Sequence, residues 1–137
     1  MELLRTPRLV LRHWEESDLQ AFYDLYSRDD VMRWLGSHPR RTLATLSLIE
    51  VGWHLHPQHQ GQGFATEAAD ALLAAAATAG IGEVLALTDL DNVRSQAVAA
   101  RLGMSDEGTT DRWFGLTSRQ FRKTLTADGQ RAPRSGL

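Results

Sequence analysis

Gln58-His59-Gln60-Gly61-Gln62-Gly63-Phe64-Ala65-Thr66-Glu67-Ala68 lies between a β-type run and an alanine-rich amphipathic run, so an extended segment must end and a helix begin within it. Gly61 and Gly63 let the backbone turn tightly and approach a ligand closely. The first amides of the helix that follows have no acceptor one turn back. They point outward with the helix dipole behind them, an arrangement that favours an anionic phosphate. Glycines here are also explained by a turn that does nothing but turn. A nucleotide P-loop needs Lys and Ser/Thr directly after its last glycine, where Phe64 and Ala65 stand. A dinucleotide fingerprint needs a third small residue where Thr66 stands, although Asp89 near the end of the next strand could imitate its ribose-binding acid.

Upstream of this stretch, residues 46–55 read as a nearly continuous apolar strand of the buried kind, broken by Glu50 and Gly52. Downstream, Ala65, Ala68, Ala69, Leu72, Leu73 and Ala76 recur at helical spacing, and Gly80 ends the helix. Residues 84–88 follow as a second buried strand, residues 92–102 as a helix closed by Gly103, and residues 104–108 and 118–125 as two last strands. Near the start, residues 8–13 alternate as a strand does, and Ser17-x-x-Gln20 supplies a capping-box start for a helix carrying Leu19, Phe22, Tyr23 and Tyr26 on one face. Residues 29–35 form a second short helix or a turn, and residues 36–41 a basic, proline-containing loop. Strand, helix, strand, helix with parallel crossovers argues for an α/β domain whose ligand sits at the carboxyl ends of the central strands.

The 137 residues and 42% hydrophobic content suit one domain with a single core, taken as residues 1–126. Residues 127–137 are polar and basic, and are expected to be a disordered tail. Fifteen basic against seventeen acidic residues leave a net charge of −2, so no overall field recruits nucleic acid or an anionic membrane. The chain has no cysteine, which excludes disulfides, thiolate nucleophiles and cysteine-based zinc sites. No apolar run reaches membrane-spanning length and residues 1–5 lack a signal-peptide core, so a cytoplasmic protein is expected.

The pattern Gln-x-x-Gly-x-Gly over residues 58–63, followed by Phe-Ala-Thr-Glu-Ala, resembles the acetyl-CoA signature of the GNAT superfamily of N-acetyltransferases. Further pieces agree in order with the branch that includes ribosomal-protein N-terminal acetyltransferases. Thr6-Pro7-Arg8-Leu9-Val10-Leu11-Arg12 resembles its first strand and Val51-Gly52-Trp53-His54-Leu55-His56-Pro57 its central one. Asp91-Asn92-Val93-Arg94-Ser95 with Arg101-Leu102-Gly103-Met104 resembles its Asn-x-x-Ser helix and Leu-Gly-Phe stop, while Arg112-Trp113-Phe114-Gly115 and Gln120-Phe121-Arg122 resemble its closing strand. The resemblance covers roughly residues 5–36 and 48–125. It implies a mixed, mostly antiparallel sheet with flanking helices, in which the central strand splays from its neighbour and the pantetheine arm of acetyl-CoA lies in the gap; Gly52 would permit a bulge there. Between Trp34 and the central strand, relatives carry two further strands, the second and third, for which residues 37–46 leave no room. Without them the first strand is expected to pair with the central one, exposing an edge or apolar surface that would favour a homodimer, strand exchange or a weakened fold.

Amide-forming acyl transfer needs a deprotonated amine, a polarised thioester carbonyl and a proton for the departing thiolate. Glu50, in an apolar strand, is a candidate general base if desolvation raises its pKa; the alternative is a strand-end carboxylate pointing into water. A main-chain amide at the bulge, between Trp53 and Leu55, would meet the oxyanion. By the resemblance, Leu55 and His56 offer their backbone to the cofactor, Gln60, Gly61, Gln62, Gly63, Phe64 and Ala65 hold its diphosphate, Asn92 holds its arm and Ser95 protonates the thiolate. Asn92 and Ser95 are equally explained as a helix cap and its first turn. Many relatives carry a tyrosine acid where Ala99 stands. His54, His56 and His59 have a spacing that can bind metal, but no acidic ligand is evident nearby and no metal is expected. Trp14, Trp34, Trp53 and Trp113 are core or cleft-lining aromatics. The reading is thus an N-acetyltransferase using acetyl-CoA to acylate the primary amine of a protein N-terminus or a small molecule. Its alternatives are an acyl-CoA-binding protein that lost part of its acceptor side, and a small dinucleotide-binding module.

Overall fold

The computed structural model describes residues 2–34, 49–113 and 115–126. The hairpin at the start comprises β1 (Glu2–Arg5) and β2 (Val10–Arg12), antiparallel with Arg5 opposite Val10. Its turn is closed twice, by Thr6 N–H to the Leu9 carbonyl at 2.9 Å and by Leu9 N–H to Thr6 Oγ1 at 3.0 Å. The strand expected over residues 8–13 is therefore the second arm of a hairpin whose first arm has no sequence signal of its own.

A 3-10 turn over Glu16–Asp18 leads into α1 (Leu19–Tyr26), followed by α2 (Asp29–Met32). The expected Ser17/Gln20 capping box is not formed. Asp18 takes the role instead: its carboxylate accepts the Glu15 N–H at 2.8 Å and two bonds from the Arg12 guanidinium, at 2.6 and 2.7 Å. A charged partner makes Asp18 the stronger acceptor. It ties the end of β2 to the start of α1.

The remainder forms α3 (Phe64–Thr78), β3 (Glu83–Thr88), α4 (Val93–Arg101), β4 (Ser105–Thr110) and β5 (Ser118–Thr124), each within a few residues of its sequence-predicted span. Gly80 and Gly103 take positive φ just past the two helices, as a left-handed C-terminal stop requires. The three strands pair antiparallel in the order β3-β5-β4, with β5 inserted between the other two. The core joins α3, α4 and this sheet: Ala69 and Leu73 from the first helix, Ala99 from the second, Val84, Ala86 and Phe121 from the strands, with Leu102 and Met104 beside them. Alanines on both helices let the backbones lie close to the sheet, and each buried methylene contributes about 0.8 kcal/mol.

The segment before the glycine loop departs most from expectation. Glu50 forms one parallel bridge to Leu85, through Leu85 N–H to the Ile49 carbonyl and Val51 N–H to the Leu85 carbonyl, both 2.9 Å. Continuing this ladder would join Leu87 N–H to the Val51 carbonyl and Trp53 N–H to the Leu87 carbonyl; among the described residues neither bond is present. Residues 52–55 have left the sheet. Residues 46–48 of the expected strand lie outside the described residues, as do the interval 37–46 and the expected tail 127–137. Among the described residues β2 pairs with β1 and not with residues 49–51.

Candidate active site

Two strand ends that part company leave a wedge, and the glycine loop closes its wide end. Leu85 turns its N–H and carbonyl toward the 49–51 segment, so by strand alternation Leu87 does the same one step further on. There it faces residues 51–53 across an open gap. Gly52 does not enforce the departure: its φ is ordinary and an added Cβ would meet nothing within 4 Å. The bulge expected at Gly52 is thus a peeling of the strand that any residue there would allow.

After Leu55 the chain makes a 3-10 turn, Pro57–His59, in which His56 Nδ1 accepts the Gln58 N–H at 3.1 Å. Gln60 then braces three elements. Its side-chain amide donates to the Leu55 carbonyl at 3.0 Å, and its Oε1 accepts from the Arg94 guanidinium in the first turn of α4. Gly61 and Gly63 both have φ +80°, and Gly63 is the N-cap of α3. The first helical bond runs from Glu67 N–H to the Gly63 carbonyl at 3.0 Å. The Phe64, Ala65 and Thr66 amides precede it and have no acceptor among the described residues. Two hydroxyls on the cleft wall, Thr66 Oγ1 and Thr88 Oγ1, are buried with no hydrogen-bond partner among the described residues.

Asn92 is the N-cap of α4, its Oδ1 accepting the Ser95 N–H at 3.2 Å. The capping role read from sequence is realised, and Asn92 and Ser95 both line the same cleft as Gly63, Phe64 and Leu87.

The opposite side of the peeled strand carries Glu50 and His54. Glu50 is open to the cleft, yet the protein atoms around its carboxyl remove enough water to raise its pKa above the ordinary carboxylate value. Desolvation lowers the His54 pKa, which keeps the ring neutral. Tyr26 from α1 stands edge-on to that ring, centroids 5.7 Å apart, with its hydroxyl 3.0 Å from His54 Nδ1. Burial also raises the Tyr26 pKa, so its hydroxyl stays protonated. The Tyr26–His54 pair escaped the sequence reading, which placed Tyr26 on a helix face and His54 in a histidine series. Its 28-residue separation carries no local signal. Trp34 lines the cleft with the Arg33 guanidinium 4.1 Å over its ring, Trp53 packs against the core, and Trp113 is buried with Nε1–H donating to Gln120 at 2.7 Å.

Residues 40–105 match the family model described as an acetyltransferase (GNAT) domain. An uncharacterised N-acetyltransferase, YnaD of Bacillus subtilis strain 168, is 24% identical over 142 residues, covering 77% of this chain and 84% of that protein. That alignment is longer than the 137-residue chain, so the Bacillus protein carries residues with no counterpart here. Among solved structures, a ribosomal L7/L12 alpha-N-protein acetyltransferase, RimL, in complex with coenzyme A is 27% identical with a TM-score of 0.52, covering 58% of this chain and 48% of that one. The matched region thus spans about half of RimL's length. A GNAT-family acetyltransferase of Bacillus anthracis has a TM-score of 0.73 at 19% identity over 88% of this chain and 96% of that one, a likeness of fold.

Proposed function

We propose, from the premise that this chain carries a GNAT acetyltransferase domain, that it moves the acetyl group of acetyl-CoA directly to a primary amine, on a protein N-terminus or a small molecule. The observation that carries this reading is the wedge after Val51: unpaired strand backbone on two sides, ending at free helix amides. An extended amide-bearing chain with a diphosphate at one end fits that shape, because backbone groups of residues 51–55 and Leu87 can pair with its amides while the α3 amides take its phosphates. Acetyl-CoA supplies an activated thioester carbonyl.

The chain's residues supply the rest. Gly61, Gln62, Gly63, Phe64 and Ala65 hold the diphosphate by their main chain. Gln60 acts indirectly, by holding the Leu55 carbonyl and Arg94 in place, and so keeps the wedge at constant width. The backbone of Leu55 and His56 aligns the thioester, a Leu55-side amide meets the developing oxyanion, and Asn92 fixes the arm from α4. Glu50, with its raised pKa, takes a proton from the incoming ammonium, and the second proton, shed by the nitrogen as the C–S bond breaks, reaches the thiolate through the Ser95 hydroxyl, which gives one proton and receives another. Because the amine attacks the thioester itself, no nucleophilic side chain is needed, in keeping with a chain that has no cysteine.

Calorimetric titration with acetyl-CoA, followed by thiol release over a panel of amines and N-terminal peptides, tests the proposal. Binding with acceptor-dependent thiol release is expected. A second reading, acyl-CoA binding without turnover, draws on the residues that YnaD has and this chain lacks. Binding without thiol release for any acceptor would select it, and no binding at all would remove both.

A further inference from the structure

The turn of the N-terminal hairpin docks on the first turn of α3, and its contacts are polar. Thr6 Oγ1–H donates to Glu67 Oε1 at 2.6 Å, Arg8 N–H to the same oxygen at 3.0 Å, and Arg8 Nε–H to Oε2 at 2.7 Å. The Arg8 guanidinium also lies over the Phe64 ring, 4.7 Å from its centre, and a terminal nitrogen stands 3.4 Å from where a Cβ on Gly63 would be. Three donors from residues 6–8 therefore converge on one carboxylate, with a full positive charge beside the glycine that begins the helix.

Glu67 is an awkward neighbour for a diphosphate. It sits in the first turn of α3, one position beyond the free amides, and an anion there works against the second anion those amides would receive. We propose that Arg8 is a positioning residue for the diphosphate of acetyl-CoA: by neutralising Glu67 and standing beside Gly63, it lets the start of α3 accept a second, larger anion. Thr6 completes the lock by orienting the carboxylate away from the free amides. This inference rests on the acetyl-CoA reading and adds to it a residue outside the cleft lining. It also gives the N-terminal hairpin a role in ligand affinity, although its residues are about 60 positions from the helix they serve.

The test compares CoA with pantetheine, which has the arm but no diphosphate, on wild type, Arg8→Gln and the Arg8→Gln/Glu67→Gln double variant at low salt. Calorimetry serves CoA and NMR shift titration the weaker fragment. Arg8→Gln is expected to weaken CoA about five- to tenfold while leaving pantetheine within twofold, and the double variant to recover CoA affinity to within about twofold of wild type. Equal losses for both ligands, an unchanged CoA affinity, or no recovery in the double variant would overturn the proposal, since a merely structural Arg8 gives one of these patterns. Should Arg8→Gln fail to fold, Glu67→Gln carries the test: CoA affinity at or above wild type is expected, and a fivefold loss overturns it. Wild type that binds no CoA would sink the acetyl-CoA reading, a result distinct from any of these.

Discussion

Gly63 concentrates the residue-scale chemistry. Its φ of +80° costs a non-glycine residue about 1–2 kcal/mol, and a Cβ there would stand 3.4 Å from a terminal nitrogen of Arg8, next to the free amides that begin α3. Gly63→Glu is expected to lower acetyl-CoA affinity at least about a hundredfold by calorimetry, from a carboxylate set where a phosphate should lie. Retained affinity would remove the cradle assignment. Desolvation moves the Glu50 pKa up and the His54 pKa down, toward each other, so the variants rather than the position of the pH limb identify the base. A base must be deprotonated, so activity falls as pH drops through its folded-state pKa. With Glu50 as base, the acidic limb of kcat/KM lies above the usual carboxylate range, and Glu50→Gln lowers kcat by about a hundredfold. A limb that persists in Glu50→Gln and vanishes in His54→Gln would transfer the role to His54. Glu50 stands out in the sequence as a polar interruption of an apolar run and His54 as part of a histidine series, but the partnership with Tyr26 does not, because it joins two elements.

At the scale of elements, the joints between segments matter more than the segments. Arg12 holds Asp18 by side-chain hydrogen bonds, helped by the Glu15 N–H, and the Asp18 pKa falls to about 2. A depressed carboxyl stabilises the fold above its unfolded-state pKa, and that stability is lost as pH falls through the folded value. Asp18→Asn is therefore expected to lower the melting temperature at neutral pH, with the gap from wild type closing as pH approaches 2. A gap independent of pH would reject the ion pair as its source. Gln60 joins the peeled strand, the glycine loop and α4 by two side-chain bonds. Gln60→Ala is expected to raise KM for acetyl-CoA about five- to thirtyfold, the worth of one to two net hydrogen bonds, with a smaller change in kcat. An unaltered KM would show that the wedge keeps its width without the brace. Helix spans and their glycine stops were legible in the sequence because periodicity and positive φ are local properties. The hairpin's first arm, residues 2–5, was not: a four-residue strand becomes one only through the partner it pairs with.

For the molecule as a whole, the small core and the exposed residues of α1 set the expectations. Leu73 is 3% exposed at the centre of the α3–sheet contact, and Leu73→Ala is expected to cost about 2–5 kcal/mol in denaturant unfolding. Among the described residues Trp14, Leu19 and Tyr23 are 64%, 66% and 66% exposed, large apolar side chains at and beside α1 that an interface between copies would cover. The homodimer expected from the short 37–46 interval remains a proposal that this face makes testable. Sedimentation should give a concentration-dependent mass that Leu19→Lys with Tyr23→Lys returns to a monomer, and a monomeric wild type would refute it.

Alanine periodicity, two glycines and the apolar runs around them were enough to order the central strands and helices and to put a helix start with free amides between them, since each follows from neighbours a few residues apart. Packing alone ended the parallel ladder at Val51, brought Thr6 and Arg8 onto Glu67 across about 60 residues, and set Arg94 against Gln60 across 34. Contacts at such separations leave no periodic trace, because what selects them is the way finished elements fit together.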